Sequence, residues 1–137
     1  YMSDVDGVHI GQGDMDIGQA RATIGLEKIL GLSVETVAAA ERTPPALVDY
    51  IGISPVYATP TKKDHKSPIG FDGLARICAK SPVYSVALGG LRLPDCHRVM
   101  ATGVNGMAVV SAICGHEDPE TSSFELRKSL DGYVRVR

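Results

Sequence analysis

Two glycines, two threonines beside lysines, one serine and one aspartate are the residues of this chain best suited to holding an anion. Gly89-Gly90 follows an apolar run that ends at Leu88. Glycines there let a phosphate approach backbone N–H groups, and the next helix N-terminus adds a favourable dipole. Taken alone, the pair fits a tight strand-to-helix turn equally well. Ser111 stands near the end of the next apolar run. Phosphate sites recur after the last two strands of βα barrels, so Gly90 and Ser111 together favour a phosphate site. Thr59-Pro60-Thr61-Lys62-Lys63 adds hydroxyl donors and ammonium charges, although a solvated loop would have the same composition. Asp14, leaving the first apolar run, could hold Mg²⁺ beside a diphosphate, because Mg²⁺ is often bound by one or two carboxylates plus phosphate oxygens. A loop or helix cap is the plainer role for Asp14, and Asp16 competes for the cap. His9, between Val8 and Ile10, either points into a barrel or packs under a helix, and packing is the reading we favour. His65, His97 and His116 are scattered without zinc-protease or nucleophile spacing, and no Walker pattern implies ATP.

These residues need a scaffold that gathers the ends of several strands. Short apolar runs lie at 8–10, 29–32, 50–53, 83–88 and 107–113. Helical stretches alternate with them at 16–24, 34–42, 71–80, 94–101 and 118–130, with Asp16 and Ser33 as caps of the first two and prolines near the start of the last two. Alternating strands and helices predict βαβ units and a parallel sheet. Continuous apolar strands suit coverage on both faces. Spacing alone leaves a βα barrel and an open doubly wound sheet as alternatives. In a barrel, the positions just after the strands share one face, where active sites sit. Glycine and polar residues gather at those positions, and this recurrence points to an enzyme.

Composition narrows the class. Of the 137 residues, 44% are hydrophobic, enough for a real core. The formal charge of −2 gives no global attraction to nucleic acid or an anionic membrane, so any anion must be held by local groups. No apolar run approaches bilayer-spanning length, and the first residues lack the basic start and apolar block of a signal peptide. Cys78, Cys96 and Cys114 show no CxxC spacing, which disfavours disulfides or zinc and suits a reducing, cytoplasmic setting. The basic end at Arg127, Lys128, Arg135 and Arg137 is read as a solvated tail.

Several blocks together resemble the thiamine-phosphate synthase family. They are Asp6-Gly7-Val8-His9-Ile10-Gly11-Gln12-Gly13-Asp14, Ile29-Leu30-Gly31-Leu32-Ser33, and the run from Asp49 through Ser54-Pro55-Val56-Tyr57-Ala58-Thr59-Pro60-Thr61-Lys62. Val86-Ala87-Leu88-Gly89-Gly90-Leu91 and Gly106-Met107-Ala108-Val109-Val110-Ser111-Ala112-Ile113 follow in family order and spacing. The resemblance implies a (β/α)8 TIM-barrel fold. It also implies an activity that joins a hydroxymethylpyrimidine diphosphate to thiazole phosphate, with Mg²⁺ required and pyrophosphate released. It casts Asp14 as a Mg²⁺ ligand, and Ser33 and Lys62 as catalytic contacts to the pyrimidine diphosphate. Thr59, Pro60 and Thr61, with Gly90, Val110 and Ser111, become the thiazole-phosphate site.

This sequence departs from the family in two places. Gly13 stands where a glutamate usually precedes the aspartate, and no stretch matches the family's first three βα units, which carry further diphosphate and Mg²⁺ groups. The expectation is therefore strands four to eight of the barrel across residues 1–137, with a final helix and tail at 118–137. The partners expected are small-molecule substrates, a possible second copy or a complementing N-terminal segment, and neither nucleic acid nor membrane. The competing functions are a thiazole tautomerase, disfavoured because Glu35 replaces that enzyme's histidine, and a non-catalytic phosphate-ligand module.

Overall fold

The computed structural model describes residues 4–58 and 67–133. Strands β1 (Gly7–Ile10), β2 (Ile29–Val34), β3 (Tyr50–Ile53), β4 (Tyr84–Leu88) and β5 (Gly106–Ala108) alternate with helices α1 (Ile17–Ile24), α2 (Val37–Glu41), α3 (Gly70–Cys78) and α4 (Cys96–Ala101). Two helices, α5 (Ser111–Cys114) and α6 (Pro119–Asp131), follow β5. The strands form one sheet in chain order, and every pairing is parallel. Right-handed crossovers in that order put all the connecting helices on one face.

The period of two along each strand then sorts the residues. Leu30, Leu32, Val34, Ile51, Ile53 and Ala87 face the helices and are at most 3% exposed. They share one core cluster with Ala20, Ala40, Phe71, Leu74, Ile77 and Val99 from the helices. The opposite face carries His9, Gly31, Ser33, Tyr50, Gly52 and Leu88, in register across the sheet. Coverage on both faces was expected. Among the described residues only the helix-bearing face is covered, and Ile29 and Tyr84 on the other are 52% and 70% exposed.

Two departures from the expected element boundaries bear on the site. A helix from Val34 capped by Ser33 does not form. Instead β2 continues through Val34, which pairs with Ile53, and Thr36 caps α2 by accepting a hydrogen bond from the Ala39 N–H at 3.1 Å. The last strand was expected to reach residue 113 but stops at Ala108. Its partner Leu88 is the end of β4, where Gly89 turns away at φ +108°, so the residues beyond Ala108 have no ladder to join. Ser111 therefore opens α5 and does not end a strand. Asp16 caps α1 as expected, accepting from Gln19 N–H at 3.1 Å, while Asp118, read from the sequence as the first helical residue, is instead the cap of α6 and accepts from Thr121 N–H at 2.9 Å.

The end of the sheet opposite the candidate site is pinned by Arg21, 6% exposed. Its guanidinium donates to the carbonyls of Leu47, Gly25 and Lys28 and to Asp49 Oδ2 at 2.6–2.8 Å. The same Asp49 oxygen accepts from Leu30 N–H at 2.7 Å. These two hydrogen bonds, first that from Leu30 and then that from Arg21, hold the Asp49 carboxyl below its ordinary pKa. The planar fork of arginine suits this role, since it reaches several acceptors at fixed angles. Among the described residues, no helix is long and apolar enough to cross a membrane.

Candidate active site

Parallel strands send all their C-terminal ends to one edge of the sheet, and the loops there hold most of the candidate residues. The inner face beneath them has an unusual floor. Gly31 and Gly52 carry no side chains, and His9 lies over the space they leave. A Cβ on Gly31 would come within 2.4 Å of His9 Nδ1, and one on Gly52 within 3.0 Å of His9 Cε1. Glycine within a strand often marks such a close approach. From this position His9 Nε2 meets Ser33 Oγ at 2.9 Å and Nδ1 meets Tyr50 OH at 3.0 Å. Gln12 donates to the Ser33 carbonyl at 2.7 Å, tying the first loop to β2.

His9 is thus exposed on the inner face and linked to a candidate catalytic serine, in contrast to the packing role under a helix that its sequence position favours. Its alternation with Val8 and Ile10, combined with Gly31 opposite it on β2 and Gly52 two residues beyond the registered Tyr50 on β3, is the signal in the sequence that could have pointed here. Tyr50 carried no comparable signal. Its role depends on β2 and β3 pairing in the register that sets Gly31 against it.

The phosphate candidates converge beside this floor. Gly89 and Gly90 both have positive φ, +108° and +67°, which side-chain-bearing residues rarely adopt. The preceding loop is zipped against them: Val56 N–H donates to the Leu88 carbonyl at 2.9 Å, and Tyr57 N–H to that of Gly89 at 3.0 Å. A Cβ on Gly89 would stand 2.8 Å from Pro55 Cα and Val56 N, so the close approach itself demands glycine. Tyr57 packs edge-on against Phe71 and donates to Asp95 Oδ1 at 3.0 Å. Desolvation, then this bond to Asp95, pushes its phenol pKa up.

A cavity of about 280 Å³ brings His9, Ser33, Gly89, Gly90, Val110 and Ser111 together, with Glu35 in its wall. A wider groove of about 650 Å³ lies between Arg92 and α6 and shares only Ser111 with the candidate residues. The smaller cavity is the better site, because residues from four separate loops and the sheet floor meet there. Ser33, Gly90, Val110 and Ser111 are thereby assembled. Thr59, Pro60, Thr61 and Lys62 lie outside the described residues.

Asp14 stands apart from that wall. Its Oδ2 accepts from Gly11 N–H at 2.7 Å, which is the loop-closing role, while Asp16 caps α1. Among the described residues, no group of three or more His, Cys, Asp or Glu side chains could hold a metal ion. Asp14 fits Mg²⁺ only as a single carboxylate ligand sharing the ion with phosphate oxygens.

Comparison with known proteins identifies the family. The family model described as thiamine monophosphate synthase matches residues 2–113. The thiamine-phosphate synthase of Psychrobacter sp. (strain PRwf-1) is 43% identical over 126 residues, covering 90% of this chain and 59% of that protein. That of Albidiferax ferrireducens is 42% identical over 125 residues, covering 91% and 57%. The chain therefore spans somewhat more than half the length of these curated relatives. Among solved structures, thiamine phosphate pyrophosphorylase from Pyrococcus furiosus superposes with a TM-score of 0.81 at 35% identity, covering 93% of this chain and 60% of that one. A 3-hexulose-6-phosphate synthase from Salmonella typhimurium, with a TM-score of 0.70 at 18% identity over 96% of this chain and 64% of that one, speaks for the βα-barrel-like fold alone. With its glycine turn, serine and strand order in place and the family model matched over most of its length, the chain belongs to the thiamine monophosphate synthase family.

Proposed function

We propose that this chain provides the phosphate-binding side of a thiamine-phosphate synthase, which joins a hydroxymethylpyrimidine diphosphate to thiazole phosphate. The convergence of Ser33, Gly90 and Ser111 on one cavity carries the reading. The positive-φ turn at Gly89-Gly90 lets a phosphate approach the backbone, and Ser111 adds a hydroxyl at the start of α5. Val110 borders the same space. In this reading Thr59, Pro60 and Thr61 complete the thiazole-phosphate contacts, and Lys62 offsets charge on the pyrimidine diphosphate. Ser33, oriented by His9, contacts the pyrimidine diphosphate.

The chemistry asks for two things. Cleavage of the methylene–oxygen bond leaves an electron pair on pyrophosphate and positive charge on the pyrimidine methylene, so the leaving group must be stabilised. The thiazole nitrogen must then be held within reach, where proximity supplies much of the rate. The cavity's role is chiefly the second. Asp14 would be one Mg²⁺ ligand, and a bound Mg²⁺ would supply positive charge to the departing pyrophosphate.

The sheet is proposed to be strands four to eight of an eight-stranded barrel, with the first three βα units coming from a further segment or a complementing chain. The 57–59% coverage of the curated relatives supports this. So does the sheet order, which pairs β1 and β5 on one side only. We place the protein in the cytoplasm. Calorimetric titration of the chain with thiazole phosphate tests the phosphate assignment. Gly90→Leu should abolish binding, since Gly90 sits at φ +67° and a Cβ there already meets Tyr57 Cβ at 3.0 Å. Lys62→Ala should weaken it only slightly. Equal losses in the two variants would defeat the division into a thiazole-phosphate part and a diphosphate part.

A further inference from the structure

The Gly89-Gly90 turn consists of the two residues least able to hold a shape by themselves. Glycine has no side chain to restrict its backbone, so it loses more freedom on ordering than any other residue. A phosphate site needs the N–H groups of such a turn aimed before the ligand arrives, because ordering them during binding costs affinity. The turn must therefore be held by its surroundings, and two side chains behind the cavity are placed to do so.

Tyr57 holds the turn from one side. Its N–H donates to the Gly89 carbonyl at 3.0 Å, and its Cβ is the atom that a Cβ on Gly90 would meet at 3.0 Å. The stretch leading to Tyr57 is itself fixed, since Ile69 N–H donates to the Pro55 carbonyl at 2.9 Å and Gly70 N–H to that of Val56 at 3.1 Å. The Tyr57 ring rests edge-on against Phe71 at 5.5 Å between centroids, and the Arg98 guanidinium lies 3.9 Å from the Phe71 ring centre. Asp95 holds the chain leaving the turn. Its Oδ2 accepts from Arg92 N–H at 2.9 Å, and its own N–H donates to the Arg92 carbonyl at 3.0 Å. Between the two anchors Leu91 is buried. The Tyr57 hydroxyl then donates to Asp95 Oδ1 at 3.0 Å and joins both sides into one ring around the turn. We propose that Tyr57 and Asp95 are positioning residues for the phosphate site, their hydrogen bond bracing the Gly89-Gly90 turn so that its N–H groups are set for the phosphate arm. The inference rests on the proposed phosphate site and adds to it the pair that preorganises it.

Tyr57→Phe removes the hydroxyl and leaves a ring to pack on Phe71. The full chain, Tyr57→Phe, Asp95→Ala and the double variant are each titrated calorimetrically with thiazole phosphate. Tyr57→Phe should weaken binding about fivefold, the scale of one hydrogen bond's net contribution. In the Asp95→Ala background the same change should cost nothing further, because the hydroxyl has already lost its partner. Nitrogen-15 relaxation of the ligand-free proteins should show lower order parameters at Gly89 and Gly90 in Tyr57→Phe than in the native chain. A hydroxyl serving stability alone would lower the urea midpoint without singling out those two amides. Unchanged affinity in Tyr57→Phe, or the same fivefold loss repeated in the Asp95→Ala background, would overturn the assignment. Failure of the native chain to bind thiazole phosphate would instead sink the phosphate site. The relaxation measurement would still decide the brace, which unchanged order parameters at Gly89 and Gly90 would refute.

Discussion

Gly31→Ala probes the glycine floor beneath His9. The new Cβ would stand 2.3 Å from Tyr50 Cζ, 2.5 Å from Tyr50 Cε1 and 2.4 Å from His9 Nδ1. Non-bonded carbons rest at about 3.5 Å or more, so ring and imidazole must separate by roughly 1 Å or more. The Tyr50–His9 hydrogen bond, now 3.0 Å, cannot survive that displacement. Its net worth is about 1 kcal/mol, and overpacking costs about 1–3 kcal/mol where neighbours cannot move. Here the neighbours are ring ends on an open face, which can swing aside. The stability loss should therefore be near the low end, about 1–2 kcal/mol. The local effect should be larger than that figure suggests, because His9 loses the partner that fixes its Nδ1 and with it the orientation of Nε2 toward Ser33. Nitrogen-15 NMR of the imidazole is the assay, with urea denaturation alongside. The His9 ring signals should shift in Gly31→Ala and not in a control such as Gly13→Ala, where no atom lies within 4 Å of the added carbon. Unchanged His9 signals in Gly31→Ala would refute the argument that the glycine makes room for this contact.

Three further outcomes are expected. Arg21→Ala should destabilise the chain by about 3 kcal/mol in urea titration, because three carbonyls and Asp49 lose a shared buried donor; a loss under about 1 kcal/mol would show that water replaces the arginine. Asp49 has a folded pKa below its unfolded one, so its contribution is fully present above the unfolded value of about 3.9 and disappears as pH falls through the folded value. Urea midpoints between pH 6 and 2 should accordingly fall less steeply on the acid side in Asp49→Asn, and identical slopes would count against the linkage. The chain by itself should self-associate, since β1 and β5 each pair on one side only and Ile29 and Tyr84 are exposed; a concentration-independent monomer in solution scattering would contradict this.

Much of the scaffold was legible in the sequence, because apolar runs and caps are local signals. Asp16 caps the helix it precedes, since an aspartate side chain satisfies N–H groups only three residues away. The run at 50–53 is a strand with those same bounds. The glycine pair after Leu88 likewise announced a turn. Boundaries set by partners were not legible. Val34 reads as helical beside an alanine-rich stretch, but Ile53 claims it for the sheet, and the residues after Ala108 read as strand although β4 has already ended.

The site divides in the same way. Composition and position marked Ser33, Gly90 and Ser111, and strand topology was enough to put them at one end. What His9 touches, and that Glu35 faces the same space as the phosphate turn, depended on register. Register is the pairing of residues far apart in the chain: His9 opposite Gly31 and Gly31 opposite Tyr50, with Ser33 on the same face one pleat further along. A shift of one residue in either pairing would send these side chains to the opposite face. No single strand encodes that choice. It is made when the buried faces of β1, β2 and β3 meet the helices together, and only then does an exposed histidine become part of a site.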